Sequence, residues 1–167
     1  QRQMCIRDSP KEDAKEYADP GKGVETPEEA LQGAKDILAE MISDDAKYRE
    51  WIRRSFKENG RILSGAKKQG EKSVYEMYYD FEEPVKKAAG YRILAMNRGE
   101  KEGFLSVKIE PDNEKIAAYL ARNVVKKQKH PTTKYLLEAI EDSYKRLIAP
   151  SIEREIRNEL TEQAEAE

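Results

Sequence analysis

The sequence has little of the chemistry that most enzymes and metal sites require. Its 167 residues include one cysteine, Cys5, and one histidine, His130. A single cysteine excludes an internal disulfide and a cysteine-based zinc site, and one histidine leaves little for a histidine-rich metal centre. We therefore predict that the chain is not an enzyme, has no catalytic or metal-ligating residues, and needs no cofactor.

Long apolar segments are also missing, whereas charge is abundant. No apolar run approaches the roughly 18–20 residues that a membrane-spanning helix needs. The chain has 31 Lys and Arg against 33 Asp and Glu, and charged residues make up 38% of it, well above the ~25% of an average globular protein. These numbers predict a soluble, cytoplasmic protein with a real core and a surface dense in both signs of charge.

The first 22 residues differ from the rest. They show neither helical nor alternating apolar spacing, and the chain does not begin with Met. The proline and two glycines of Pro20–Gly23 would end any helix or strand that precedes them. We interpret residues 1–22 as a disordered or non-native flank, and 23–167 as the folded region.

Amphipathic helices dominate the remainder. Thr26–Glu29 is typical of a helix start, with an N-cap threonine, a proline and two acids. Ser43–Asp45 predicts the cap of a second helix, and Pro150 starts a fresh helix or kinks an old one. Alternation predicts a strand at Phe104–Ile109, and Arg61–Leu63 could form another. The fold class is therefore mainly α: a multi-helix, bundle-like region with one or two short β-strands.

The strongest local excess of positive charge lies in residues 122–134, called here the basic segment. It has no acid and contains five cations: Arg122, Lys126, Lys127, Lys129 and Lys134. Such a cluster can neutralise phosphates and give a salt-dependent affinity for nucleic acid. It is also compatible with a solvated helix end, where cations are stabilising.

Gly65–Ser73 comes close to the pattern of a phosphate-binding loop. That pattern needs Lys immediately after the second glycine, so that the ammonium and the amide N–H groups face the same phosphates. Here Glu71 intervenes, which favours a basic surface loop.

Two further patterns favour structural roles over binding. Aromatic residues cluster at Tyr75, Tyr78, Tyr79 and Phe81. They could stack on bases, but helical spacing indicates core. Glu153 and Arg157 have the spacing of an i,i+4 helix pair on a solvated face.

Three stretches carry a family resemblance: Tyr78–Val85, Arg92–Gly103 and Ala139–Glu162, with Ala30–Glu40 upstream. In this order and spacing the chain resembles the Tex family of bacterial transcription accessory proteins over roughly 24–167. The resemblance implies a helical N-terminal and central region, followed in the family by an RNase-H-like domain, helix-hairpin-helix motifs and an RNA-binding OB-fold. It also implies that 23–167 stops before the RNase-H-like part.

The resemblance adds candidate residues outside the basic segment. Arg92, Arg98, Lys101 and Glu102 match the family's pattern. The family commonly has Ser-His or Gly-His before the first of these, where this sequence has Gly90 and Tyr91. These residues are typical of a basic turn that closes a helix, or of a contact with another domain. Arg92, Arg98 and Lys101 are also candidate nucleic-acid-binding residues, together with the five cations of the basic segment.

These observations lead to a functional hypothesis and one main alternative. The hypothesis is a helical scaffold from an RNA-binding transcription accessory protein, which positions nucleic-acid-binding domains, contacts phosphates and works with the transcription machinery. The alternative is a protein-interaction module that packs its last helix on a partner domain without binding nucleic acid. The packing residues would then be Ile152, Ile156, Leu160 and Ala164. An enzyme is the least favoured interpretation.

Overall fold

The computed structural model describes residues 26–127 and 133–167, so the flank interpreted at 1–22 lies outside the described residues. The chain divides into two compact units. Unit 1 comprises the described parts of Gln1–Arg49 and Glu114–Ala149. Unit 2 comprises Glu50–Asn113 and Pro150–Glu167.

The first helix of unit 1, α1, spans Pro27–Ser43 and begins as the sequence predicts. The Glu29 amide donates to Thr26 Oγ1 over 3.0 Å, which satisfies one of the backbone donors left open at a helix start. Pro27 occupies the first turn, where its missing N–H costs nothing. The predicted N-terminal cap is therefore confirmed.

Gly33 lies in the middle of α1 and weakens it. Glycine in a helix interior is about 1 kcal/mol less favourable than alanine, because it loses more backbone freedom on folding. A Cβ added at Gly33 would meet no atom within 4 Å. We expect Gly33→Ala to raise the free energy of unfolding of unit 1 by about 0.5–1 kcal/mol, measured by urea unfolding. An unchanged or lower value would contradict this account of α1.

The core of unit 1 forms where α1 packs against α5 (Thr133–Asp142) and the π-helical segment Ser143–Ile148. Ser143 is fully buried there, and its Oγ donates to the Ala39 carbonyl over 2.6 Å. This bond matters because a buried hydroxyl without a partner is costly. Unit 1 also contains most of α4, which spans Asn113–Lys127.

The π-helical segment directly precedes α6, which spans Ala149–Ala166. The Ala149 amide donates to the Tyr144 carbonyl, five residues back. Pro150 follows and has no N–H to donate, and in a regular α-helix its ring would also crowd the carbonyl four residues earlier. The wider π turn is therefore how the chain remains helical as it approaches Pro150.

Unit 2 is built on a three-stranded antiparallel sheet. Its order is β2-β1-β3, with β1 at Arg61–Ala66, β2 at Asp80–Pro84 and β3 at Leu105–Glu110. In the central strand, Ile62 pairs with Glu83 on one side and Ile109 on the other. The mainly α fold is confirmed. The described residues contain one strand more than the one or two expected, and the strand without a sequence signal is β2.

Three helical segments accompany the sheet of unit 2: most of α2 (Ala46–Asn59), α3 (Gly90–Lys101) and α6. Two ion pairs tie α2 to α6, at Arg53 with Glu155 and at Lys57 with Glu159. The largest fully buried side chains in this unit are Ile52, Phe56, Ile62, Met96, Leu105, Ile152 and Ile156.

Candidate nucleic-acid interface

The basic segment contributes exposed cations to unit 1. Arg122 and Lys126 lie four residues apart on one face of α4, and both are exposed. Lys134 is exposed in the first turn of α5. Lys127 is the last residue of α4, and Lys129 lies outside the described residues.

Acidic side chains are absent from the sequence around these cations. No Asp or Glu occurs between Glu114 and Glu138. Among the described residues, no carboxylate pairs with Arg122 or Lys126. A hydrogen bond from Lys35 lowers the pKa of Glu138, and the charge of Lys134 adds to the effect. Within the part of the chain that the structure describes, Arg122 and Lys126 are therefore exposed to solvent without a carboxylate that neutralises them. Lys134, in contrast, interacts electrostatically with Glu138.

Arg92, a candidate from the family resemblance, is already paired inside unit 2. Its Nη2 lies 2.9 Å from Glu83 Oε1, and its Nε donates to the same carboxylate over 3.1 Å. Glu83 is only 8% exposed. This hydrogen bonding raises the pKa of Arg92. Arg92 therefore remains charged, but its main partner is a protein carboxylate.

Arg98 and Lys101, the other two candidates on α3, are exposed in its last turn. Arg98 and Glu102 both approach the hydroxyl of the buried Tyr75. Burial and Glu102 raise the pKa of Tyr75, and Arg98 opposes them. The structure therefore places these two cations on one helical turn of unit 2, whereas Arg122 and Lys126 belong to unit 1.

The residues predicted to pack on a partner domain are largely covered within the chain. Ile152 and Ile156 are 0% and 1% exposed, and Ala164 is also buried. Leu160 is half-buried and lines a small cavity of unit 2 with Ile62. The apolar face of α6 is consequently occupied by this chain's own core, which explains its regular four-residue spacing.

Arg157 forms a network that the sequence did not predict. Its Nη2 donates to Glu100 Oε1 over 2.8 Å and to Asn97 Oδ1 over 2.9 Å. Its Nη1 donates to Glu100 Oε2 over 3.1 Å and to the Val107 carbonyl over 3.2 Å. The predicted pair with Glu153 is wrong, because Arg157 instead binds both carboxylate oxygens of Glu100. Asn97 on α3 and the Val107 carbonyl on β3 are its further acceptors.

Glu153 instead accepts the amide of Ile109 over 2.8 Å. It lines an open groove of about 500 Å³ in unit 2. The charged residues lining this groove are two acids and two arginines: Glu100, Glu153, Arg154 and Arg157. Because these charges balance, the groove lacks the positive excess that a phosphate site requires.

The aromatic cluster is mainly core. Tyr75 and Tyr78 are buried at 5% and 4% exposure, which confirms that interpretation for these two. Tyr78 packs edge-on against Phe81, with ring centroids 5.3 Å apart, an arrangement that aromatic pairs favour. Tyr79 is half-buried, and its hydroxyl shares a 2.8 Å hydrogen bond with Ser73.

The stretch Gly65–Ser73 does not have the structure of a phosphate-binding loop. Gly65 is still part of β1, and the next helical element is a single 3₁₀ turn at Glu76–Tyr78. A phosphate-binding loop requires the N-terminus of an α-helix directly after it. Lys67, Lys68 and Lys72 are exposed, as expected for a basic surface loop.

The described residues contain neither a cluster of metal-ligating side chains nor a membrane-spanning helix. Residues 26–127 and 133–167 contain no group of three or more His, Cys, Asp or Glu side chains that could hold a metal ion. No helix in this part of the chain is long and apolar enough to cross a membrane.

Comparison with known proteins places the chain in a family. The Tex central region-like family matches residues 6–167. The uncharacterized protein YdcI of Bacillus subtilis is 52% identical over 155 residues, covering 91% of this chain and 22% of that protein. The transcriptional accessory protein Tex of Neisseria gonorrhoeae is 29% identical over 150 residues, covering 83% of this chain and 19% of that protein.

A human relative, S1 RNA-binding domain-containing protein 1, is 30% identical over 161 residues, covering 87% of this chain and 16% of that protein. The chain thus spans about a fifth of the length of the curated relatives it matches. The match of the family across nearly all of the sequence agrees with the resemblance carried by Tyr78–Val85, Arg92–Gly103 and Ala139–Glu162. This chain belongs to the Tex family and corresponds to its central region.

Proposed function

We propose that the chain is a helical scaffold of a cytoplasmic, RNA-binding transcription accessory protein, and that its basic segment contacts phosphates. The names of two relatives, a transcriptional accessory protein and an S1 RNA-binding domain-containing protein, support the role in transcription and the RNA partner. The scaffold role, positioning nucleic-acid-binding domains of a longer protein, is supported by the buried cores of both units.

The observation that carries the phosphate contact is the exposed pair Arg122 and Lys126 on α4. Their four-residue spacing puts both cations on one side of the helix, and acids are absent from 115–137. Lys126 lies in the last turn of α4, where the partial negative charge at the C-terminal end of the helix stabilises a cation in the free protein. Binding to phosphates would add to that stabilisation through release of counterions.

Salt dependence tests this proposal. We expect Arg122→Gln with Lys126→Gln to weaken binding of a labelled single-stranded RNA. Each lost phosphate contact also reduces the slope of log K against log[KCl] by about 0.7 for a single strand. The double variant should therefore reduce that slope by up to about 1.4, measured by fluorescence anisotropy at four KCl concentrations.

A matched control separates local contacts from net charge. Arg54 and Lys108 are exposed cations of unit 2, so Arg54→Gln with Lys108→Gln removes the same charge elsewhere. We expect this control to leave the slope unchanged. Equal losses for both double variants, or no RNA binding at low salt by the unmodified chain, would contradict the proposal. A DNA strand of the same sequence, titrated in parallel, measures any preference for RNA.

A further inference from the structure

Tyr91 presents an aromatic ring at the surface of unit 2. It lies in the first turn of α3, and 68% of the residue is exposed. Arg92 Nη1 donates to the Tyr91 hydroxyl over 2.6 Å, and the guanidinium carbon lies 5.1 Å from the ring centroid. Most of the ring is therefore accessible, even though the side chain is bound to its neighbour.

The arginine that holds Tyr91 is itself fixed. Both oxygens of the Glu83 carboxylate, on β2, accept from Arg92 Nε, over 3.1 and 3.3 Å, and Glu83 Oε1 lies 2.9 Å from Nη2. Glu83 is buried. A guanidinium held in this way by a buried carboxylate has a restricted orientation, since the fork is planar and rigid. The hydrogen bonds from Arg92 to Glu83 and to Tyr91 thus hold an exposed ring in one position. A fixed ring loses less conformational entropy when a ligand binds to it.

Two further cations lie close to Tyr91 in sequence. Lys86 and Lys87 belong to the 3₁₀ turn Val85–Lys87 that precedes α3, and both are exposed. Neither pairs with a carboxylate among the described residues. An exposed ring preceded in sequence by two exposed cations combines the two features by which proteins hold single strands: stacking of bases and neutralisation of the backbone.

We propose that Tyr91 is a stacking platform for a base of a single-stranded nucleic acid. Arg92 is a positioning residue that orients the ring through its bond to Glu83, and Lys86 and Lys87 contact the adjacent phosphates. This inference rests on the proposed function for the class of ligand, but it concerns a different unit and a different interaction. It also changes the role expected for Arg92, from contacting phosphate to holding Tyr91.

The test compares two labelled 12-mers with equal numbers of phosphates: oligo(dT) and a strand of abasic tetrahydrofuran spacers. Both report phosphate contacts, but only oligo(dT) can stack. Loss of a base–aromatic stack weakens binding on the order of tenfold. We therefore expect the complete chain to prefer oligo(dT) by about tenfold and Tyr91→Ala to abolish that preference. Tyr91→Phe should reduce the preference several-fold without abolishing it, because the ring remains but loses the hydroxyl that binds Arg92.

Arg92→Lys tests the positioning role. Lysine keeps the charge but cannot bond Glu83 and Tyr91 together through a planar fork. We expect the preference for oligo(dT) to fall several-fold, while affinity for the abasic strand and its salt dependence stay unchanged. A preference equal to that of the unmodified chain would overturn the role of Arg92.

The outcomes distinguish this inference from the proposed function. Binding of the abasic strand that depends on Arg122 and Lys126, without any preference for oligo(dT), would overturn stacking alone. A preference that Tyr91→Ala removes, with abasic binding insensitive to those two cations, would overturn the phosphate contact of the basic segment alone. If neither strand binds at low salt, both are overturned.

Discussion

Replacing Gly60 with alanine is expected to destabilise unit 2 by about 3 kcal/mol, near the upper end of what overpacking costs. Gly60 is buried between α2 and β1, where its amide donates to the Phe56 carbonyl. A Cβ at this position would overlap the Phe56 carbonyl oxygen and approach Val85 Cγ2 to 3.4 Å. Because the overlapping atom belongs to the backbone, relief requires the end of α2 to move.

Urea unfolding followed by the fluorescence of Trp51, the single tryptophan, measures this effect in unit 2. Gly65→Ala is the matched control, because Gly65 lies on β1 and its added Cβ would only make an ordinary contact, 3.8 Å from the Tyr79 carbonyl oxygen. We expect the control to change stability by less than about 0.5 kcal/mol. Equal midpoints for the two variants would show that the end of α2 adapts without cost.

Arg157→Ala should destabilise unit 2 by about 2–3 kcal/mol, the upper part of the range of about 1.5–3 kcal/mol for hydrogen bonds to charged groups. The change removes four hydrogen bonds and leaves Glu100, 37% exposed, without its guanidinium partner. Partial exposure lets water replace some of the lost contacts, which keeps the cost below that of breaking a fully buried pair. The same urea titration measures the effect.

Two variants separate geometry from charge at this position. Arg154→Ala removes an exposed arginine that lines the same groove, and we expect a change within about 0.5 kcal/mol. Arg157→Lys keeps the charge but lacks the fork that reaches Glu100, Asn97 and Val107 together. It should recover less than half of the lost stability. Full recovery with lysine would contradict a role for the planar fork.

The helix starts could be predicted because their signals are local. The cap at Thr26 works through an amide three residues away, and Asp45 similarly accepts the amides of Lys47 and Tyr48. Such contacts appear directly in the sequence. The four-residue spacing of Ile152 and Ile156 likewise indicates that both are buried. The sequence could not show that the core covering them lies within this chain.

Strand β2 could not be predicted, because its sequence Asp80–Pro84 is mostly charged and ends in proline. It is a strand because β1 pairs with it along its length, and pairing partners are set by tertiary structure. Proline is tolerated on such an outer strand.

The same limit applies to the candidate site. The basic segment is a sequence feature, whereas the partners of Arg92 and Arg157 depend on which acids the fold brings near them. Glu83 reaches Arg92 from β2, and Glu100 reaches Arg157 across 57 residues. In the sequence, Tyr91 is notable only because the family commonly has histidine at this position. Its hydrogen bond to Arg92, which orients the ring, could be identified only from the structure.

The network around β3 also determines how the sheet of unit 2 ends. The Val107 carbonyl accepts from Arg157, the Ile109 amide donates to Glu153, and the Val107 amide donates to Glu100 over 3.4 Å. An edge strand normally offers such groups to another strand, which makes it a route to self-association. Here helix side chains take the place of a fourth strand. The residues that stabilise unit 2 therefore also prevent one molecule from adding its strand to the β3 edge of another.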